Sequence, residues 1–113
     1  MHEFSLCYEA LALIDQQARS HGARRVTGVW LELGALSCIE ESALRFSFGT
    51  ACRGTLAEGS ALHLDVRPAP AWCWSCGAAV EITHHGAGCP RCGGHALQVN
   101  GGDSLRVRQL ELE

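Results

Sequence analysis

The stretch CWSCGAAVEITHHGAGCPRC, residues 73–92, decides how this part of the chain folds, because it contains two Cys-x-x-Cys pairs. Two thiolates three positions apart in a tight turn can bind one metal ion from the same side, and a second such pair completes a tetrahedron. The pattern predicts a four-thiolate zinc site whose ligands are Cys73, Cys76, Cys89 and Cys92. Since protein atoms fill all four positions, we expect a structural site rather than a catalytic one.

The same spacing is compatible with two alternatives to zinc, which are disulfides and iron. Disulfides are disfavoured because the first residues lack the basic region and the apolar core of a secretory signal, which predicts a reducing cytoplasmic location. Iron could occupy the same four-sulfur cage and would make the protein a red electron carrier. Zinc remains the expected metal.

The flanking sequence sets this segment apart as a small module. Residues 67–71 form a proline-rich connector, and residues 100–103 form a loose connector that contains two glycines. Because a segment this short cannot build a hydrophobic core alone, metal binding must supply most of its folding free energy. We expect a zinc-binding domain at residues 69–102.

Three histidines lie close to the cysteine pairs in the sequence, at His84, His85 and His95. Imidazole is a common metal ligand, so these histidines could serve as exchangeable ligands, or they could simply be exposed loop residues. The sequence leaves their role open.

The rest of the chain has the hydrophobic periodicity of an α+β domain. Apolar residues at steps of three and four predict helices over residues 4–20 and 39–52, and Ser37 with Glu40 fits a capping box before the second helix. Alternating apolar residues predict strands over residues 25–34, 62–67 and 104–113. We expect two helices on a three-stranded sheet, built from residues 1–68 and 103–113, with the zinc ribbon inserted.

Composition excludes several classes of function. The 113 residues carry a formal net charge of −3, whereas proteins that wrap phosphate backbones usually carry a basic excess, so we expect no nucleic-acid partner. The longest run without a charged side chain, residues 68–80, is too short to cross a bilayer. No phosphate loop and no pairing of a nucleophile with a base is recognisable, so we expect no enzyme.

The first three residues offer a second metal site. The α-amine of Met1, the backbone nitrogen of His2 and the His2 imidazole follow one another as a chelate, and the Glu3 backbone nitrogen or a side chain can complete a square plane. Square-planar nitrogen ligation is the preference of Ni(II) and Cu(II), whereas zinc prefers a tetrahedron. The helix predicted directly after these residues would hold the chelate in place.

The chain resembles a known family at several points. The segments MHEFSL at residues 1–6, VWLELG at 29–34 and EESALRF at 40–46, together with the two cysteine pairs, are similar to the HypA/HybF nickel metallochaperones. The resemblance runs from the first residue to the last strand. It implies a nickel domain of two helices on a three-stranded sheet, joined to a zinc domain.

The resemblance also implies a function. It implies that the protein delivers Ni(II) to the large subunit of [NiFe] hydrogenase during maturation, together with the GTPase HypB. His2 would be the essential nickel ligand, with Met1 and Glu3 as neighbours, and the four cysteines would hold structural Zn(II). Some family members also serve urease maturation, and some exchange a zinc ligand for a nearby histidine as the pH changes.

Two questions stay open from the sequence alone. The oligomeric state can be monomer or dimer. The alternative function is a zinc-ribbon module that docks a protein or a nucleic acid without handling nickel, and it predicts that His2 is dispensable.

Overall fold

The computed structural model describes the backbone of residues 2–113 and the side chains of residues 4–113. Its helices and strands are α1 (His2–Ser20), β1 (Val26–Gly34), a 3-10 turn (Ala35–Ser37), α2 (Glu41–Ala51), β2 (Ala61–Arg67), β3 (Ala69–Cys73), β4 (Ala78–Ile82), β5 (Leu97–Val99) and β6 (Leu105–Leu112). The chain divides into two compact units. The first unit comprises Met1–Glu32, Ile39–Asp65 and Leu105–Glu113, and the second comprises Leu33–Cys38 and Val66–Ser104.

The first unit has the predicted α+β architecture. Its sheet has the strand order β2-β1-β6, and α1 packs against both α2 and β6. The apolar stripe of α1 is buried as the periodicity predicts, at Cys7, Ala10, Leu11, Ile14 and Ala18. Leu44 and Phe48 of α2 and Leu31 of β1 are also almost completely buried, so the core of this unit is aliphatic and aromatic.

The helix ends follow the sequence in one case and depart from it in the other. At the end of α1, Ala23 N–H donates to Ala18 O and Gly22 N–H donates to Arg19 O, which is a Schellman motif. The predicted capping box before α2 is wrong. The N-cap residue is Glu40, which makes no side-chain capping bond, and Ser37 is instead the last residue of the 3-10 turn.

The second unit contains an antiparallel sheet with the strand order β4-β3-β5. One cluster of its buried residues consists of Ala71, Cys73, Val80 and Cys89, and a second consists of Leu36, Ala69 and Ile82. Two of the four residues in the first cluster are cysteines of the predicted metal site. The second unit therefore has a small core whose packing depends on the geometry around those thiols.

The proline-rich connector is partly strand, which differs from the expectation of a stiff linker over residues 67–71. Pro70 lies in β3 and pairs with Glu81 of β4. Its carbonyl accepts the N–H of Asn100, so its nitrogen faces the side of β5, just beyond the last residue of that short strand. No ladder donor is needed there, and a proline is tolerated.

The segment after β1 belongs to the second unit. Gly34 N–H donates to Ser104 O at 2.9 Å, and Leu36 N–H donates to Gly102 O at 2.8 Å. The Leu36 side chain packs with Ala69 and Ile82. Residues 33–38 therefore form part of the fold that carries the cysteine pairs, although residues 39–65 separate them from the rest of that unit.

Candidate metal centre

The four cysteines of the two pairs converge on one point. Their Sγ atoms all lie within 4.8 Å of one another, with 3.7 Å between Cys73 and Cys92 and 3.9 Å between Cys76 and Cys89. A tetrahedron with Zn–S bonds of about 2.3 Å has sulfur–sulfur edges of about 3.8 Å. The spacing of the thiols fits a four-coordinate zinc ion. Among the described residues, this is the group of metal-binding side chains that meets in space.

Two tight turns aim the sulfurs inward. The first follows β3, where Gly77 N–H donates to Cys73 O at 2.8 Å, and the second is closed by Gly93 N–H donating to Cys89 O at 2.8 Å. Gly77 and Gly93 have φ of +62° and +74°, a conformation that strains any residue with a Cβ. The glycines that follow each cysteine pair are thus required by the turn.

Backbone amides point at the sulfurs of both turns. Cys76 N–H donates to Cys73 Sγ at 3.4 Å and Arg91 N–H donates to Cys89 Sγ at 3.3 Å. Gly94 N–H donates to Cys92 Sγ at 3.4 Å. Such bonds delocalise negative charge from the thiolates and orient them, which is the task of the outer shell of a metal site.

Two of the four thiols, those of Cys89 and Cys76, have pKa values shifted in opposite directions. The N–H of Cys92, followed by that of Arg91, stabilises the thiolate of Cys89 and lowers its pKa to about 6. A side-chain hydrogen bond with Cys92 is the largest cause that raises the pKa of Cys76, to about 12, and burial is the second. Four thiolates this close repel one another strongly, and a divalent cation among them removes that repulsion.

The cluster is closed on one side and open to solvent on the other. Cys73 and Cys89 are buried, Cys76 is half-buried and Cys92 is exposed. Trp72 stands edge-on to Trp74 with 6.1 Å between the ring centroids, and Trp74 is 66% exposed. Of the two tryptophans, only Trp72 is therefore sufficiently buried to take part in the packing of the second unit.

The three neighbouring histidines lie outside the four-thiol group. His84 and His95 are exposed, and His84 Nδ1 lies 3.4 Å from Thr83 Oγ1. His85 Nε2 lies 3.0 Å from Leu36 O, so it ties the loop after β4 to the segment that follows β1. Sequence reasoning missed this contact because its two residues are 49 positions apart and share no motif.

The predicted nickel site falls at the limit of what the structure describes. Met1 and the side chains of His2 and Glu3 lie outside the described residues. The described part of α1 begins with the backbone of His2, and farther along the helix Phe4 is half-buried and Cys7 is fully buried.

The remaining cysteines play no part in the cluster. All seven cysteines lie within the described residues and are free thiols, so the structure does not contain the two disulfides that were the alternative. Burial, followed by the neighbouring Cys7, raises the pKa of Cys52 to about 11. Cys7 and Cys52 behave as small buried hydrophobic residues, whereas Cys38 is exposed.

None of the helices in the described part of the chain is both long enough and apolar enough to cross a bilayer.

Comparison with known proteins gives one consistent result. The family model "Hydrogenase/urease nickel incorporation, metallochaperone, hypA" matches residues 1–112. The hydrogenase maturation factor HybF of Salmonella typhimurium is 61% identical over 113 residues, and HybF of Escherichia coli K12 is 56% identical over 113 residues. Each of these alignments covers 100% of both chains.

Solved structures share the fold. The solution structure of the Ni metallochaperone HypA from Helicobacter pylori matches with a TM-score of 0.71 at 20% identity, over 97% of this chain and 96% of that one. A second HypA solution structure matches with a TM-score of 0.67 at 22% identity, over 100% of this chain and 97% of that one. The chain belongs to the HypA/HybF family of hydrogenase and urease nickel-incorporation factors, which are metallochaperones rather than enzymes.

Proposed function

We propose that this protein carries Ni(II) at its first three residues and delivers it to the large-subunit precursor of [NiFe] hydrogenase. The nickel ligands are the Met1 amine, the backbone nitrogen and imidazole of His2, and a donor from Glu3. The observation that carries the proposal is the family match, which spans the chain from residue 1 and therefore includes this segment. The proposed compartment is the cytoplasm.

The chemistry of the four-thiol cluster supports a separate place for the cargo. Four sulfurs at tetrahedral spacing leave no open position on a zinc ion, so zinc held there would be structural and slow to exchange. A carrier must release its metal to a client. The nickel site is therefore better placed outside the cluster, in a shallow chelate with nitrogen donors.

The N-terminal chelate suits release by ligand exchange. One end of the chelate is free to move, so a client that offers better donors can replace its nitrogens one at a time. HypB is the proposed helper GTPase, since nothing in the chain provides a phosphate-binding loop. Urease maturation proteins are a second proposed set of clients, because the family name covers both enzymes.

The deciding experiment is a nickel titration of untagged protein with its native first residue. Wild type, His2→Ala and a form with one residue added before Met1 are compared, and the control is His21→Ala, which removes an exposed histidine at the far end of α1. We expect nickel binding by wild type and by the control, and loss of binding in the other two. Equal binding by all four would favour the zinc-ribbon docking module.

Acidification tests the same ligands. The amine and the imidazole must both lose protons to bind, so nickel affinity should fall between about pH 7.5 and about pH 5.5. An affinity that stays constant over this range would show that the proposed ligands are wrong.

Zinc is tested separately. Protein as isolated should hold one zinc ion and be colourless, whereas iron in the four-sulfur cage would make it red. Cys73→Ala should lose the zinc, and Cys38→Ala, which removes an exposed thiol outside the cluster, should retain it. Retention of zinc by Cys73→Ala would refute the four-cysteine site.

HypB and the hydrogenase large-subunit precursor are tested by calorimetric titration with each purified partner. Wild type should bind both. If neither binds while nickel binding persists, the protein handles nickel in another pathway.

A further inference from the structure

A cysteine and a histidine outside the four-thiol cluster reach the same backbone oxygen. Cys38 Sγ lies 3.7 Å from Leu36 O, and His85 Nε2 lies 3.0 Å from the same atom. All three residues belong to the second unit, although Cys38 and His85 lie far apart in the sequence. Neither belongs to the four-thiol group, in which side chains alone supply the ligands. Thiolate and imidazole are ligands that divalent first-row transition metals share, so these two side chains are of a kind that can hold one ion together.

The spacing of the three atoms fits a single tetrahedral ion. With metal–sulfur bonds of about 2.3 Å and metal–nitrogen and metal–oxygen bonds of about 2.0 to 2.1 Å, the nitrogen–oxygen edge is about 3.3 Å and the sulfur–oxygen edge about 3.6 Å. The corresponding distances to Leu36 O are 3.0 Å from His85 Nε2 and 3.7 Å from Cys38 Sγ. Both side chains can donate a hydrogen to this carbonyl, and an ion would replace the two hydrogens.

The backbone holds two of the three donor atoms in place. Leu36 is buried, its N–H donates to Gly102 O at 2.8 Å, and its side chain packs with Ala69 and Ile82, so its carbonyl has a fixed position. Cys38 follows the 3-10 turn with φ of +60° and ψ of 25°, which is the left-handed conformation. Among the described residues it is the one with a side chain that has a positive φ. The thiol is therefore held towards the carbonyl in a conformation that a Cβ makes unfavourable.

A cavity beside His85 adds room and negative charge. It has a volume of about 280 Å³, and its lining includes Leu36, His85 and Asp103. Within residues 4–113 the Asp103 carboxylate forms no ion pair and no side-chain hydrogen bond, and none of the described lining residues is a lysine or an arginine. Water in the cavity can complete the coordination of an ion, and the unpaired carboxylate favours a cation.

We infer that Cys38, His85 and the carbonyl of Leu36 form a second metal site, which takes a divalent transition-metal ion of tetrahedral preference such as Zn(II), with water as the fourth ligand. Binding releases the thiol proton to solvent and uses a neutral imidazole with its lone pair on Nε2. Cys38 and His85 are both exposed and one position is open, so an ion exchanges here far more readily than in the four-thiol cluster. The site does not include residues 1–3, so the inference is independent of the proposed nickel chelate.

A titration with Co(II) tests the site, because Co(II) can replace zinc in tetrahedral sites and absorbs in the near ultraviolet when a thiolate binds it. The protein is full-length, has its four-thiol cluster filled with zinc and contains His2→Ala, which removes the terminal chelate from the assay. We expect one Co(II) ion per chain to bind with a thiolate-to-metal absorption band while the zinc content stays constant. Alkylation of Cys38 by iodoacetamide should slow as Co(II) or Zn(II) saturates the site. Failure of the nickel chelate would leave both signals unchanged.

Two variants and one neighbouring control test the ligands. Cys38→Ser removes the thiolate and should abolish the absorption band, and His85→Gln should weaken Co(II) binding at least about tenfold. Glutamine keeps a side-chain N–H that can donate to Leu36 O, so this variant separates coordination from folding. The control is His84→Ala, which removes the adjacent exposed histidine and should bind Co(II) as tightly as the parent protein.

Several results would overturn the inference. The first is an absence of Co(II) binding, and the second is binding that Cys38→Ser and His85→Gln leave unchanged or that His84→Ala weakens equally. A band that grows only as zinc leaves the protein would place the Co(II) in the four-thiol cluster and would also exclude the second site. So would alkylation of Cys38 at the same rate with and without added metal.

Discussion

Replacing Gly77 by alanine should weaken zinc binding through backbone strain alone. Gly77 has φ of +62°, and a Cβ built there meets no atom within 4 Å, so a steric clash contributes nothing. The remaining cost is that of an L-residue in the left-handed region, about 1–2 kcal/mol. Because we expect folding of so small a module to depend on the metal, this strain should appear as a zinc affinity about 5- to 30-fold lower.

Competition with a chromophoric chelator at fixed pH measures that affinity directly. Gly49→Ala is the matched control, because a Cβ at Gly49 also meets nothing within 4 Å and the residue lies in α2 without a positive φ. It should leave zinc affinity unchanged and stabilise the first unit by about 0.5–1 kcal/mol. Gly77→Asn should fall between wild type and Gly77→Ala, since asparagine tolerates the left-handed conformation better.

The reasoning would be refuted by either of two results. Wild-type affinity in Gly77→Ala would show that the turn after Cys76 relaxes without cost, so the positive φ does not constrain the site. An equal loss in Gly49→Ala would show that the effect has nothing to do with the backbone at the cysteine turn.

Other measurements test the core and the free thiols. Phe48→Ala should lower the free energy of unfolding by about 3–5 kcal/mol, because Phe48 is buried. Phe46 lies on the same helix but is 72% exposed, so Phe46→Ala should change that free energy by less than about 0.5 kcal/mol. Similar urea midpoints for the two variants would contradict the burial pattern. Iodoacetamide should modify exposed Cys38 long before Cys52, as peptide mass spectrometry will show. The Cys52 thiol has its ordinary pKa of 9.0 in the unfolded chain and a pKa of about 11 in the folded protein. The free energy of unfolding should therefore fall as the pH rises from 9 to 11, by at most about 2 kcal/mol. Cys52→Ala should abolish this fall.

The parts of the fold that sequence predicted well are those in which the partners are close in sequence. The stripe of α1 repeats every three or four residues, and a helix turns this repeat into one face without reference to the rest of the chain. Each cysteine pair is likewise local, since Cys73 and Cys76 share one turn. The closing bonds of Gly77 and Gly93 confirm the local prediction at both turns.

The parts that sequence did not predict depend on distant partners. Pro70 was expected in a connector because proline cannot donate to a ladder, and it lies in β3 because its nitrogen faces the end of a strand almost thirty residues away. Leu36 lies two residues after β1 but packs with Ala69 and Ile82. Hydrophobic periodicity reports which face of an element is buried, and it carries no information about the element that covers it.

The composition of the second unit explains why a nickel carrier should also need a zinc module. Its buried residues form two small clusters, and Cys73 and Cys89 make up half of one of them, so we expect the four-thiol site to organise the fold of that unit. A metal that organises a fold cannot also be the metal that leaves. On the function proposed here, zinc with four soft thiolates and no open position stays, while nickel with a few nitrogens at the chain terminus departs. The two tasks need opposite exchange rates, and the difference in donor chemistry provides them. Removing nickel should therefore leave the zinc content and the far-ultraviolet circular dichroism unchanged, and loss of either signal together with nickel would show that one site performs both tasks.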